Sequence, residues 1–114
     1  DGPVLIYSST YAETVKKIQR KHGIQKSRNL IEDCLAKISK GLVKAGVGQL
    51  VVAGGATSGG TIKALKIHSL RIGHKIDPGA PWTMTLDKPP IHLALKAGNF
   101  GTADFFTRAW QAVK

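Results

Sequence analysis

The chain has 114 residues, of which 42% are hydrophobic and 21% charged, a globular balance that excludes disordered and fibrous classes. One domain with a real core fits in this length, and no apolar stretch approaches the roughly 20 residues that span a bilayer. Seventeen Lys and Arg against seven Asp and Glu give a formal charge of +10, which attracts phosphate-bearing partners, nucleotides and nucleic acids alike.

In chain order, "VLIY" at 4–7 reads as a short strand, and Ser8, Ser9 and Thr10 suit the start of a following helix. Tyr11, Val15 and Ile18 recur at helical spacing, predicting a helix over 11–22 that Gly23 stops. A second helix is expected over 27–45, with Leu30, Ile31, Cys34, Leu35, Ile38, Leu42 and Val43 on one face. The single cysteine, Cys34, excludes an internal disulfide and is expected to pack there as a small hydrophobe. Lys37, Lys40 and Lys44 read as its solvated basic face.

"QLVVAG" at 49–54 is continuously apolar, as expected of a strand buried on both faces of a parallel sheet. A short helix over 58–66 and a strand over 69–73 follow. "KIDPGAPW" imposes turns, "WTMTL" and "IHLALK" form a hairpin-like pair of strands, and a last helix runs over 102–113. Alternating strands and helices without repeat or linker predict a single α/β domain over 1–114, three layers deep, with a mixed, mostly parallel sheet flanked by helices.

Between the strand at 49–54 and its helix stand Gly54, Gly55, Gly59 and Gly60. Ligands of open α/β sheets bind at this place, because strand ends leave a crevice and a helix start presents unpaired N–H groups. Bare backbone allows close approach to phosphate, and Thr57, Ser58 and Thr61 add hydroxyls. The same residues also suit a tight strand-to-helix turn packed closely by small side chains. A P-loop is excluded, since Gly60 stands where its lysine belongs, and no GxGxxG is present.

"LALKAGNFGTADFF" at 93–106 repeats the arrangement, with Gly98 and Gly101 and a cap at Thr102. Two such turns on one sheet can hold a nucleotide between them. Lys96 reads either as a phosphate contact or as a side chain reaching water, and Phe100 as a base-stacking or a core aromatic. Asp104 either favours the helix dipole or meets magnesium, Asp77 either forms an Asp-Pro-Gly turn or holds Mg²⁺ through water, and Trp82 is read as a core anchor rather than an adenine platform. The four histidines stand apart, with no carboxylate or thiol at ligand spacing, so no metal site is assigned. The four arginines are scattered over different elements, which argues against a nucleic-acid-binding module.

Together, "VVAGGATSGG", "LRIGHKIDPGAPW" and "LALKAGNFGTADFF", in this order and preceded by "GPVLIYSS", resemble the C-terminal nucleotide-binding domain of the four-carbon acid sugar kinases, which include the 3-oxo-tetronate and threonate kinases. The resemblance covers nearly the whole chain. It implies an ATP-dependent kinase using Mg²⁺, with Gly54, Gly55, Ala56, Thr57, Ser58 and Gly98 contacting ATP. The acid sugar is then bound mainly by an N-terminal domain that these residues do not include. The chain accordingly looks like a C-terminal fragment, inactive as a kinase by itself, cytoplasmic, with neither membrane nor nucleic-acid partners and no assigned catalytic base. The family pattern has glutamate where Ala56 stands and serine where Ala97 stands. Losing that glutamate removes a carboxylate able to touch the ribose or organise magnesium, while backbone contacts at 56 survive.

Overall fold

The computed structural model describes residues 3–8, 12–87, 89–97 and 102–112. Helices α1 (Ala12–His22) and α2 (Ile24–Lys44) are joined at Gly23 and followed by strand β1 (Gln49–Ala53) and helix α3 (Gly55–Ala64). Strands β2 (Leu70–Asp77), β3 (Ala80–Thr85) and β4 (His92–Lys96) come next, and helix α4 (Phe105–Ala112) closes the order. The four strands form one mixed sheet in the order β1-β4-β3-β2. The α/β architecture with flanking helices is as expected, but its parallel share is smaller. Only β1 and β4 run parallel, while β2–β3 and β3–β4 are antiparallel. The reason is local: Pro78 and Gly79 make a two-residue connection between Asp77 and Ala80, so "KIDPGAPW" belongs largely to strands and not to a loop.

The main core lies on the face covered by α4. Ile76, Ala80, Trp82, Ala94, Phe105 and Ala109 form one buried cluster there, with Val51, Trp110 and Ala112 packed against it. Trp82 is 4% exposed, and its indole N–H donates to the Ala109 carbonyl at 2.7 Å. An aromatic anchored in this way is worth roughly 3–5 kcal/mol to the fold, and the core reading of Trp82 holds. Leu93 and Val52 are buried toward the α3 side, where α2 backs α3. Thr61 of α3 is fully buried, and its hydroxyl lies 3.5 Å from that of Ser39 in α2.

Three expectations are corrected. No strand forms at 4–7: residues 3–8 have no regular structure, and Val4, Leu5, Ile6 and Tyr7 are 85%, 62%, 48% and 70% exposed. Cys34 is exposed and not packed, because α2 meets α3 along its Ser39 side and leaves Leu30 and Ile31 exposed among the described residues. Finally, β1 is an edge strand. It is not buried on both faces as expected: Val52 is buried, Leu50 and Val51 are half-buried, and Gln49 and Ala53 are exposed, because only β4 pairs with it in the sheet.

The ends of α2 and α3 share one geometry. In α2, Gly46 and Val47 donate back to Val43 and Leu42; in α3, Lys66 and Ile67 donate back to Lys63 and Ile62. Both are Schellman closures, but the second puts a lysine at φ 54°, where glycine is normally found.

Candidate nucleotide site

The first glycine turn is built by the start of α3. Gly54 has φ 109° and ψ 132°, a combination that a residue with a Cβ rarely adopts, and it turns the chain from β1 directly into the helix. The helix begins at Gly55, three residues earlier than expected, so Gly55, Ala56 and Thr57 form its first turn. The first helical hydrogen bond runs from the Ser58 N–H to the Gly54 carbonyl at 2.9 Å. The N–H groups of Gly55, Ala56 and Thr57 are therefore those that a helix start leaves without intrahelical partners, at the positive end of the dipole. Gly55 and Ala56 are exposed, and a Cβ built on Gly55 or Gly59 meets nothing within 4 Å.

The two readings of the glycine stretch divide between its halves. Gly60 faces α2, where a Cβ would stand 3.8 Å from the Ala36 Cβ and 3.9 Å from the Glu32 carbonyl oxygen. With Thr61 behind it, this half serves close helix packing. The half from Gly54 to Thr57 is open and fits an anion. Ser58 falls between them: its hydroxyl is buried, and no hydrogen-bond partner for it is present among the described residues.

The second turn starts beside the first. β1 and β4 run parallel with Ala53 opposite Lys96, and the Gly54 N–H donates to the Lys96 carbonyl at 2.7 Å. Both apolar strands thus deliver their glycine stretches to the same end of the sheet, on adjacent strands. Gly98, with Phe100 and Gly101, lies outside the described residues. Lys96 is half-buried, its Nζ 5.9 Å from the centre of the Phe105 ring and 3.4 Å from the Ala97 carbonyl.

Asp77 ends β2 at this same end of the sheet, since β2 and β4 are both antiparallel to β3. The residue is 5% exposed, and both carboxylate oxygens are engaged. One oxygen accepts from Arg108 Nη1 at 2.6 Å and the other from the Thr102 N–H at 3.2 Å, while Arg108 Nη2 donates to the Ile76 carbonyl at 2.9 Å. Arg108 Nη1 also donates to the Thr102 hydroxyl, which in turn donates to Asp104. Burial pushes the Asp77 carboxyl up, but the hydrogen bonds from Arg108 and Thr102 outweigh it and hold the group below its ordinary value. Asp77 is therefore an ion-pair clasp between β2 and the start of α4. Sequence reasoning missed this clasp, because Asp77 and Arg108 are 31 positions apart and no local pattern links them.

No group of three or more His, Cys, Asp or Glu side chains able to hold a metal ion occurs among the described residues. Arg20 and Arg28 are exposed on α1 and α2, Arg71 is exposed on β2, and Arg108 is committed to Asp77. Lys37, Lys40 and Lys44 are all exposed on α2, as a solvated face requires. No helix of the described residues is long and apolar enough to cross a membrane.

The family of nucleotide-binding C-terminal domains matches residues 1–106. The chain belongs to this family. Among its relatives is the 3-oxo-tetronate kinase of Cupriavidus necator, 49% identical over 107 residues, which are 94% of this chain and 25% of that protein. The 3-oxo-tetronate kinase of Burkholderia multivorans is 49% identical over 111 residues, 97% of this chain and 26% of the relative. A crystal structure of a Haemophilus influenzae protein from the DUF1537 family superposes with a TM-score of 0.83 at 36% identity, covering 90% of this chain and 25% of that one. The chain thus spans about a quarter of the length of the family members it matches.

Proposed function

We propose that this chain is the ATP-binding part of a kinase that phosphorylates a four-carbon acid sugar of the 3-oxo-tetronate or threonate type. The observation that carries the reading is the 2.7 Å hydrogen bond from Gly54 to Lys96, with the parallel register around it. It sets the start of the second glycine stretch against an open helix N-terminus whose amides suit a phosphate. Gly54, Gly55, Ala56 and Thr57 supply main-chain contacts in this reading, and Gly98 supplies one from the second stretch. Ser58 supplies no direct phosphate contact in this reading, since its N–H already donates to the Gly54 carbonyl and its hydroxyl is buried.

Mg²⁺ enters this reading with the phosphates rather than through a protein cage. The described residues offer no cluster of ligands, Ala56 has no carboxylate, and Asp77 is engaged by Arg108. In-line phosphoryl transfer requires donor, metal and acceptor to be held together, and acceptor contacts belong to the further domain that the family resemblance implies. The chain alone therefore binds ATP and turns over no acid sugar. Calorimetric titration with Mg-ATP tests this, and the expected result is weak binding that weakens further with added salt. Absence of heat, both for the chain and for a longer family protein carrying it, would remove the reading.

A further inference from the structure

β1 has a free side. The Gly48 carbonyl accepts from the His92 N–H at 2.8 Å and the Gly54 N–H reaches Lys96, so the even-numbered positions of this stretch face β4. By the alternation of a parallel ladder, the N–H and C=O groups of Gln49, Val51 and Ala53 point the other way. On that side lies a cleft of about 880 Å³. One wall is α2, through Leu35, Ile38 and Leu42; the opposite wall is α4, through Phe106 and Trp110. The outer wall is the stretch Pro3–Ser8, whose apolar side chains remain exposed.

We infer that this cleft receives one extended apolar strand of polypeptide, pairing along the free side of β1, contributed by the part of a family kinase that lies outside the matched quarter. Three observations select this occupant. A strand spacing of about 4.8 Å, a rise of about 3.3 Å and a layer depth of about 10 Å give about 160 Å³ per residue of strand. The cleft's 880 Å³ therefore holds about five to six residues, enough to run beside the 5 residues of β1. Second, the apolar walls lie on both faces of the sheet, so side chains that alternate along an inserted strand meet an apolar surface on either side. Third, relatives about four times as long carry polypeptide beyond the matched residues. An unpaired apolar strand between two helices is otherwise a site for edge-to-edge aggregation. Thr57 of the glycine turn also lines the cleft, so the entering strand borders the candidate phosphate site.

Hydrogen–deuterium exchange read by mass spectrometry tests the inference. It compares residues 49–53 in this chain alone with the same residues in the Cupriavidus necator relative carrying this chain in place of its matched quarter. Exchange there is expected to slow by ~10-fold or more in the chimera, as amides move from a free edge into a ladder. Binding of an apolar dye such as anilinonaphthalene sulfonate is expected to the chain alone and to be lost in the chimera. Equal exchange in both proteins would overturn the inference. So would slow exchange in the isolated chain, whether independent of concentration, meaning that Val4–Tyr7 folds onto β1, or present only at high concentration, meaning that a second copy does. Should the chimera fail to fold, the intact relative measured at the aligned residues gives the same opposed outcomes. No nucleotide enters the measurement, so its result stands apart from the ATP reading.

Discussion

Gly55→Val places a branched side chain where the structure has open space, since a Cβ at this position meets nothing within 4 Å. Gly55 opens α3, and valine is no worse than glycine in a helix, so stability should hold to within about 0.5 kcal/mol. The added methyl groups instead fill the approach to the unpaired N–H groups. Losing one hydrogen bond to a charged phosphate costs about 1.5–3 kcal/mol, which raises the Kd for Mg-ATP about 10- to 150-fold. Gly54→Ala provides the contrast. With φ at 109° it strains the backbone, and a loss of about 1–3 kcal/mol in stability is expected alongside weaker binding. Thermal melts and calorimetry on the two variants separate the cases. A Gly55→Val protein that melts early yet binds Mg-ATP as well as the parent would refute the reasoning, because the open half of the turn would then serve packing.

Three further outcomes follow from the same geometry. Asp77→Asn should lower the melting temperature at pH 7. Because the carboxyl is held below its ordinary value, its contribution is present above an unfolded value of about 3.9 and is lost as pH falls through the folded value, so the gap to the parent protein should narrow below about pH 4 in melts at pH 7 and pH 3. Gly60→Val should overpack the contact with Ala36 and cost about 1–3 kcal/mol in chemical denaturation, with a smaller effect on Mg-ATP binding than Gly55→Val. Lys66→Gly should raise stability by about 0.5–1 kcal/mol, since it relieves a positive φ at the end of α3, and a melting temperature at or below the parent's would count against that.

Element types were legible in the sequence wherever one period ran unbroken. The 3.6-residue spacing in α1 and α2 and the apolar runs of β1 and β4 appear close to where they were expected. Boundaries failed where a residue type has two uses. Gly55 falls before the expected helix but lies within α3, as Gly59 and Gly60 do, because open space or close helix contact tolerates them there. "DPG" reads as a break but closes a two-residue hairpin. The Val4–Tyr7 strand was sound in propensity, yet pairing depends on a neighbour that a propensity cannot supply. At the candidate site, both glycine stretches and their strands were readable from local pattern. What adjoins them was not: the register of β1 against β4, and the Asp77–Arg108 clasp, are long-range consequences of the strand order.

The account turns on bare main-chain amides at the start of α3 gripping a triphosphate. Nitrogen–proton correlation spectra recorded while Mg-ATP is added observe those amides one by one. The largest shifts should fall on Gly55, Ala56 and Thr57 and disappear in Gly55→Val. Shifts confined to the exposed lysine face of α2, at Lys37, Lys40 and Lys44, would show that the positive charge and not the glycine turn attracts the nucleotide, and would contradict the account.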